Sequence, residues 1–227
     1  MIMAMAVLSV VLFSCVREEM TCDKELIVVQ RIGEGGYVYT RGTVISSNTD
    51  LKEETFGLYG SLTPNASVPQ PYFNASATVN ADLTATISPL QYWPGLLNAS
   101  MKFFSWYPYS DANAPTTSFT DPGEMVLNYT ANESAANHID VLAAISGPVW
   151  VEGVNIHFYH TLTKVTFTFK KVAPVPNEVT IEQIEFQNVG KSGNLAMTEI
   201  PTTTTKNGKP KFVWSDVATG KVASTPT

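Results

Sequence analysis

Strand-like segments dominate the hydrophobic pattern of this chain and predict an all-β protein. The longest run, His157–Lys170 (HFYHTLTKVTFTFK), is rich in β-branched and aromatic residues. Its alternation changes phase: Val154, Ile156, Phe158, His160 and Leu162 share one parity, whereas Val165, Phe167 and Phe169 share the other. A phase change indicates a bulge or a crossing between sheets, here near Thr163–Lys164. The pattern therefore predicts two packed β-sheets.

Shorter runs of the same kind predict the remaining strands. They are Glu25–Val29, Tyr37–Ile45, Phe56–Gly60, Ala81–Ile87, Val141–Ile145, Val179–Phe186 and Lys211–Trp214. Asn132–Ile145 is the one helix candidate, and we interpret it as a loop or single turn that leads into a strand. Asp111–Thr120 is rich in Pro, Ser and Thr and is predicted to be a loop. The Gly33–Gly36 stretch lacks the lysine of a phosphate-binding loop.

Aromatic residues are densest in Ser88–Pro94 and Met101–Pro108. They offer two interpretations, a sugar-stacking platform or core packing. Strand alternation in the second stretch sends Phe104 and Trp106 to one face and Phe103 and Tyr107 to the other. This division favours core packing on both faces.

Composition narrows the class of protein. The chain has 227 residues, of which 44% are hydrophobic and 15% charged, as in a globular protein. Its net charge of −6 and the lack of a basic patch argue against nucleic-acid binding. Cys15 and Cys22 are the only cysteines, so the rest of the chain can hold neither a disulfide framework nor a cysteine-based zinc site.

The N-terminus has the pattern of an exported lipoprotein. Residues 1–14 are apolar, too short to span a bilayer and of the right length for a signal peptide. Leu12-Phe13-Ser14-Cys15 is similar to a bacterial lipobox, which predicts lipidation of Cys15 and residues 15–24 as a tether. Glu18–Glu19 resemble the acidic signals that send lipoproteins to the outer face, which predicts an outer-membrane anchor. An ordinary signal peptide with an incidental cysteine is the alternative.

The sequence offers little with which to build an enzyme, and we predict no catalytic, cofactor-binding or metal site. His157 and His160 lie three apart on a predicted strand, hence on opposite faces, so they cannot bind one metal together. His160 is interpreted as a core or corner histidine. The carboxylate pairs Glu53–Glu54 and Glu182 with Glu185 lie outside the aromatic stretches, unlike a glycosidase pair.

Several segments together resemble the fimbrillin family of type V pilins and fimbrillin-like surface lipoproteins. They are TRGTVISS at 40–47, FGLYG at 56–60, PLQYWPG at 89–95, MKFFSWYP at 101–108, DVLAAI at 140–145 and FYHTLTKVTFTFK at 158–170. The resemblance implies two transthyretin-like antiparallel β-sandwiches of Greek-key type. We therefore expect an N-terminal sandwich over 25–175 and a partial C-terminal β-domain over 176–227, truncated at Thr227.

The resemblance also implies a function, that of a cell-surface fimbrial subunit or fimbria-associated adhesin. In the family's pilins, an arginine-specific protease removes the lipidated N-terminal segment, and a strand from another subunit fills the opened groove. Arg31 and Arg41 are the candidate cleavage sites. The partners would be other fimbrial subunits, a lipid anchor, and a host or bacterial surface glycan or protein.

The alternative function is a glycan-binding surface lipoprotein that uses exposed aromatics such as Tyr92, Trp93 or Trp150. A secreted hydrolase is a third hypothesis, for which no catalytic constellation is visible.

Overall fold

The computed structural model describes residues 25–34, 47–119, 123–150, 153–163, 165, 168–170, 180–197 and 212–224. Its strands are β1 (Val29–Glu34), β2 (Thr55–Thr63), β3 (Gln70–Val79), β4 (Ala85–Ser88), β5 (Ser100–Tyr107), β6 (Thr116–Ser118), β7 (Met125–Thr130), β8 (Leu142–Val149), β9 (Val154–His160), β10 (Ile184–Met197) and β11 (Ser215–Ser224). Short 3-10 turns occur at Pro64–Ala66 and Ala135–Asn137. The prediction of an all-β protein is confirmed. Within these ranges, no helix is long and apolar enough to cross a membrane.

The strands form two sheets. The larger closes into a barrel in the order β1-β4-β3-β2-β5-β8-β9, and the smaller has the order β11-β10-β7-β6. The paired strands are antiparallel except β1 and β9, whose parallel pairing closes the barrel. The sequence did not predict this closure. The transthyretin-like topology and the domain division after residue 175 stay predictions. β10, which follows residue 175, pairs with β7, which precedes it.

Two hydrophobic clusters lie on opposite faces of β2, β5 and β8. The first fills the barrel, and the second lies between the barrel wall and the smaller sheet. On β5, Phe103 and Tyr107 join the first cluster, whereas Phe104 and Trp106 join the second. The predicted division of these aromatics is therefore confirmed, as is their role in core packing.

A glycine allows the second cluster to pack closely. Gly57 on β2 faces Trp106 on the neighbouring β5, and a Cβ atom at Gly57 would lie 2.1 Å from the indole carbons of Trp106. The ring therefore lies directly against the backbone of β2. This contact needs a residue without a side chain.

The predicted strand His157–Lys170 is wrong beyond His160, where β9 ends, because no described residue from 161 to 170 lies in a strand. Thr161 turns the chain away from the sheet: its amide and its hydroxyl both donate to the carbonyl of Val141, at 3.0 and 2.9 Å. Its own carbonyl accepts from the indole of Trp214 at 2.7 Å. The change of phase therefore follows the end of a strand. Lys164 lies outside the described residues.

Other boundaries also differ from the sequence prediction. β10 begins at Ile184, later than predicted, and the Asp111–Thr120 loop contains the short β6. The predicted strand Lys211–Trp214 is wrong over its described residues 212–214, because β11 begins only at Ser215. The interpretation of Asn132–Ile145 as a turn before a strand is confirmed by the 3-10 turn and β8. The predicted strand Tyr37–Ile45 falls outside the described residues.

We predict that Gly57→Ala destabilises the protein by about 1–3 kcal/mol, because the added methyl group must displace the Trp106 ring. Urea unfolding followed by circular dichroism measures the loss. Gly190→Ala is the matched control, since its Cβ would meet only the side chain of Val217, at 3.0 Å on an exposed hairpin. Equal losses for both variants would contradict the proposed packing role.

Candidate functional site

The N-terminal segment, residues 25–34, lies between two strands that are distant from it in sequence. On one side β1 pairs in parallel with β9, from Val29 opposite Val154 to Glu34 opposite Phe158. On the other side Val29 pairs with Ala85 of β4. The residues that follow β4 extend this second boundary, because Leu26 forms an antiparallel bridge with Tyr92.

Backbone hydrogen bonds hold this segment on both sides. The amide of Ile27 donates to the carbonyl of Gln91 at 2.9 Å, and the amide of Trp93 donates to the carbonyl of Glu25 at 2.8 Å. On the β9 side, the amide of Val154 donates to the carbonyl of Val28 at 2.9 Å. The segment therefore has hydrogen-bonded partners along both edges.

Alternate side chains of the segment enter the barrel core. Ile27, Val29 and Ile32 are buried and belong to the cluster that fills the barrel. Their spacing changes from two to three because the pairing with β9 shifts register between Val29 and Arg31. Full burial of an aliphatic side chain stabilises a fold by roughly 1.5–3 kcal/mol, so these three residues give the segment a substantial apolar contact.

Residues adjacent to these three pack against β9 and against Gly153, which precedes it. Gln30 covers Gly153, at which a Cβ atom would lie 1.7 Å from the Gln30 Cδ. Gly33 lies against His157, whose Nδ1 would be 3.0 Å from an added Cβ. Val28 is 44% exposed.

The structure places one of the two candidate cleavage sites. Arg31 is exposed in the middle of β1, and its backbone pairs with Asn155 of β9. Arg41 and the predicted lipidation site Cys15 lie outside the described residues, as do the signal peptide and the tether, so these stay predictions.

Two of the three histidines make polar contacts within the fold. Nδ1 of His160 lies 2.9 Å from Oδ1 of Asp140, with both side chains more than nine-tenths buried, which fits the predicted corner role. Nε2 of His138 lies 2.9 Å from the carbonyl of Asn132. Among the residues described, no group of three or more potential metal ligands occurs.

The carboxylates of the pairs Glu53–Glu54 and Glu182 with Glu185 have different neighbours in the structure. The Tyr107 hydroxyl donates to Glu54 at 3.0 Å, and burial, reinforced by this bond, raises the pKa of Tyr107. Glu185 is exposed and paired with Lys221, whose hydrogen bond lowers the pKa of that carboxyl. Glu182 is exposed.

The three aromatic residues proposed for glycan binding differ in exposure. Trp93 is buried and packs edge-to-face on Phe103, with ring centroids 6.0 Å apart, so its predicted exposure is wrong. Tyr92 and Trp150 are exposed, by 40% and 61%. Alternation fails to predict this difference because residues 89–99 belong to no extended strand.

The sequence prediction found the start of the inserted segment but missed its end. The predicted strand covers Glu25–Val29 and is followed by the glycine-rich stretch Gly33–Gly36, which is typical of a loop. Ile32, which is fully buried, was therefore missed. An apolar spacing of two followed by three, across two polar residues, is the pattern of a bulged strand and could have revealed it.

The fold defines an all-β protein whose N-terminal strand completes a barrel between non-consecutive strands. Comparison with protein families matches residues 40–225 to the fimbrillin-like family, so the chain belongs to that family. This is a structural pilin family and not an enzyme family, which indicates a fimbrial subunit at the cell surface that interacts with other fimbrial subunits. Neither the curated proteins nor the solved structures gave a match.

The two adjacent valines at 28 and 29 allow a matched test of the inserted segment. We predict that Val29→Ala lowers the free energy of unfolding by about 2–3 kcal/mol, because it empties space in the barrel core. Val28→Ala makes the same chemical change at an exposed position and should cost about 0.5 kcal/mol or less. Urea unfolding compares the two. Similar losses would show that the segment does not pack as described.

Proposed function

We propose that this chain is the precursor of a fimbrial subunit, anchored through a lipid on Cys15 and activated by removal of its N-terminal strand. A strand from another subunit then takes the place of β1. The observation that carries the proposal is the position of residues 25–34, whose strand β1 lies between β4 and β9 and which contribute three buried side chains. Removing it would expose two strand edges and an apolar slot, which is what an incoming strand requires.

The geometry favours Arg41 over Arg31 as the cleavage site. A protease needs an accessible backbone, whereas the backbone of Arg31 is paired with β9. Hydrolysis after Arg31 would also leave Ile32 and Gly33 in the slot. Arg41 follows β1 in the chain, so hydrolysis there would release the whole of residues 25–34.

The anchor and the strand exchange belong to one mechanism in this proposal. While the lipidated segment fills the slot, the slot is closed to other strands and the chain stays on the outer membrane. Hydrolysis severs the covalent link to the lipid, and the slot becomes available once the severed segment dissociates. Glycan binding, through Tyr92 or Trp150, stays a sequence-based alternative.

We expect an arginine-specific protease to cut the purified precursor after Arg41. Mass spectrometry should give the mass of the chain from Gly42 onward, and Arg41→Ala should prevent this cut while Arg31→Ala leaves it unchanged. Gel electrophoresis under non-reducing and unheated conditions then follows the appearance of multimers. A cut after Arg31 in both the wild type and Arg41→Ala would contradict the assignment of Arg41.

A peptide with the sequence of residues 25–34 tests the opened slot without any donor subunit. A fluorescently labelled peptide should bind the cleaved chain and fail to bind the uncleaved one, as measured by fluorescence polarisation. The matched peptide with Ile32→Asp should bind at least about a hundredfold more weakly, because it would bury an unpaired carboxylate. Equal binding of the two peptides would contradict insertion of Ile32 into the core.

A further inference from the structure

The two ends of the barrel differ in polarity. We define the entry end as residues 25–28, 64–69, 89–99 and 149–150. Register places them together: Thr63 is opposite Ser100, Leu62 is opposite Gln70, and Met101 is opposite Val149. The N-terminal segment begins at the same end, since Leu26 bridges Tyr92.

Large apolar side chains are exposed at the entry end. Leu97 is 88% exposed and Val68 is 74% exposed, and the others include Leu26, Tyr92, Leu96 and Trp150. They come from four separate stretches of the chain that the barrel brings to one rim. Exposed apolar side chains gathered from several elements mark a surface that contacts something other than water.

The described residues of the entry end are also almost free of charge. Glu25 is the one charged residue in its four ranges, and between Glu54 and Lys102 the sequence holds a single charged residue, Asp82. Asp82 belongs to the turn between β3 and β4, at the opposite end of the barrel. That opposite end also carries Asp50, Lys52, Glu53 and Asp111.

The chain enters the barrel at the apolar end, so the residues between Cys15 and Glu25 limit the distance of that end from Cys15. Only nine residues separate Cys15 from Glu25, which makes ten residue-to-residue steps. Even fully extended, they span at most about 35 Å. A lipid on Cys15 would therefore hold Glu25, and the entry end with it, within about 35 Å of the bilayer.

We propose that the entry end lies on the lipid bilayer in the anchored precursor, with Leu97, Trp150 and their neighbours in the interfacial region. Tryptophan and tyrosine favour the membrane interface, and aliphatic side chains beside them add buried apolar area. The contact gives the anchored chain a second attachment and a fixed orientation. This inference rests on the lipid anchor of the proposed function.

Trp150 provides a direct probe of this contact. The chain has four tryptophans, of which Trp93 and Trp106 are buried and Trp214 is half-buried. The full chain is isolated from a lipoprotein-processing bacterium, and its diacylated Cys15 is verified by mass. It is then reconstituted into vesicles of phosphatidylethanolamine and phosphatidylglycerol, with and without brominated acyl chains. Brominated lipid should quench the tryptophan emission, and Trp150→Phe should remove most of that quenching.

A second pair of variants tests the surface around Trp150. Leu97→Glu should reduce the quenching of Trp150, because it places a charge in the apolar rim. Val213→Glu is the matched control: Val213 is 66% exposed but lies next to β11 of the other sheet, so the quenching should not change. Both positions are exposed, and thermal unfolding checks that both variants are folded.

The outcomes separate this inference from the proposed function. A lipidated chain whose Trp150 is not quenched overturns the membrane contact and leaves the anchor in place. A chain without lipid on Cys15 overturns both. If quenching is missing and Leu97→Glu instead abolishes association between copies, the entry end is a subunit interface. If polysaccharide binding is lost in Trp150→Phe and quenching is missing, the entry end is a glycan site.

Discussion

Burial of both faces of β2, β5 and β8 is the constraint on which the rest of this structure depends. One face of these strands points into the barrel and the other packs against the smaller sheet. The size and polarity of the side chain at each of their positions are therefore restricted. Seven consecutive residues of β2 are buried, and Gly57 must lack a side chain because Trp106 occupies the space above it. A shared wall of this kind joins two cores that would otherwise be separate.

The same constraint explains which parts of the fold the sequence could predict. Segments buried on both faces read as nearly continuous apolar runs, so those at 56–60 and 101–108 predict strands or core. The faces of Phe103 and Phe104 followed from alternation, which is a local property. The end of β9 did not, because it depends on Thr161 bonding to Val141 and Trp214, which are remote in sequence.

The candidate site was only partly predictable for a related reason. A strand at residues 25–29 was visible in the apolar run, but its parallel partner β9 begins at Val154, and no short turn connects the two. Pairing across such a distance leaves no local pattern. The difference between buried Trp93 and exposed Tyr92 also arises from long-range packing, here with Phe103, and could not be read from two neighbouring aromatic residues.

The division of the core into two clusters bears on how a subunit could lose a strand and remain folded. The N-terminal segment contributes Ile27, Val29 and Ile32 to the cluster inside the barrel and no residue to the second cluster. The second cluster joins β2, β5 and β8 to β7 and β10, whichever strand fills the slot. Loss of β1 would therefore open the barrel between β4 and β9 while its opposite wall stays supported from outside. Without β1, the slot would keep its shape but stay empty, which is the state that an incoming strand would need.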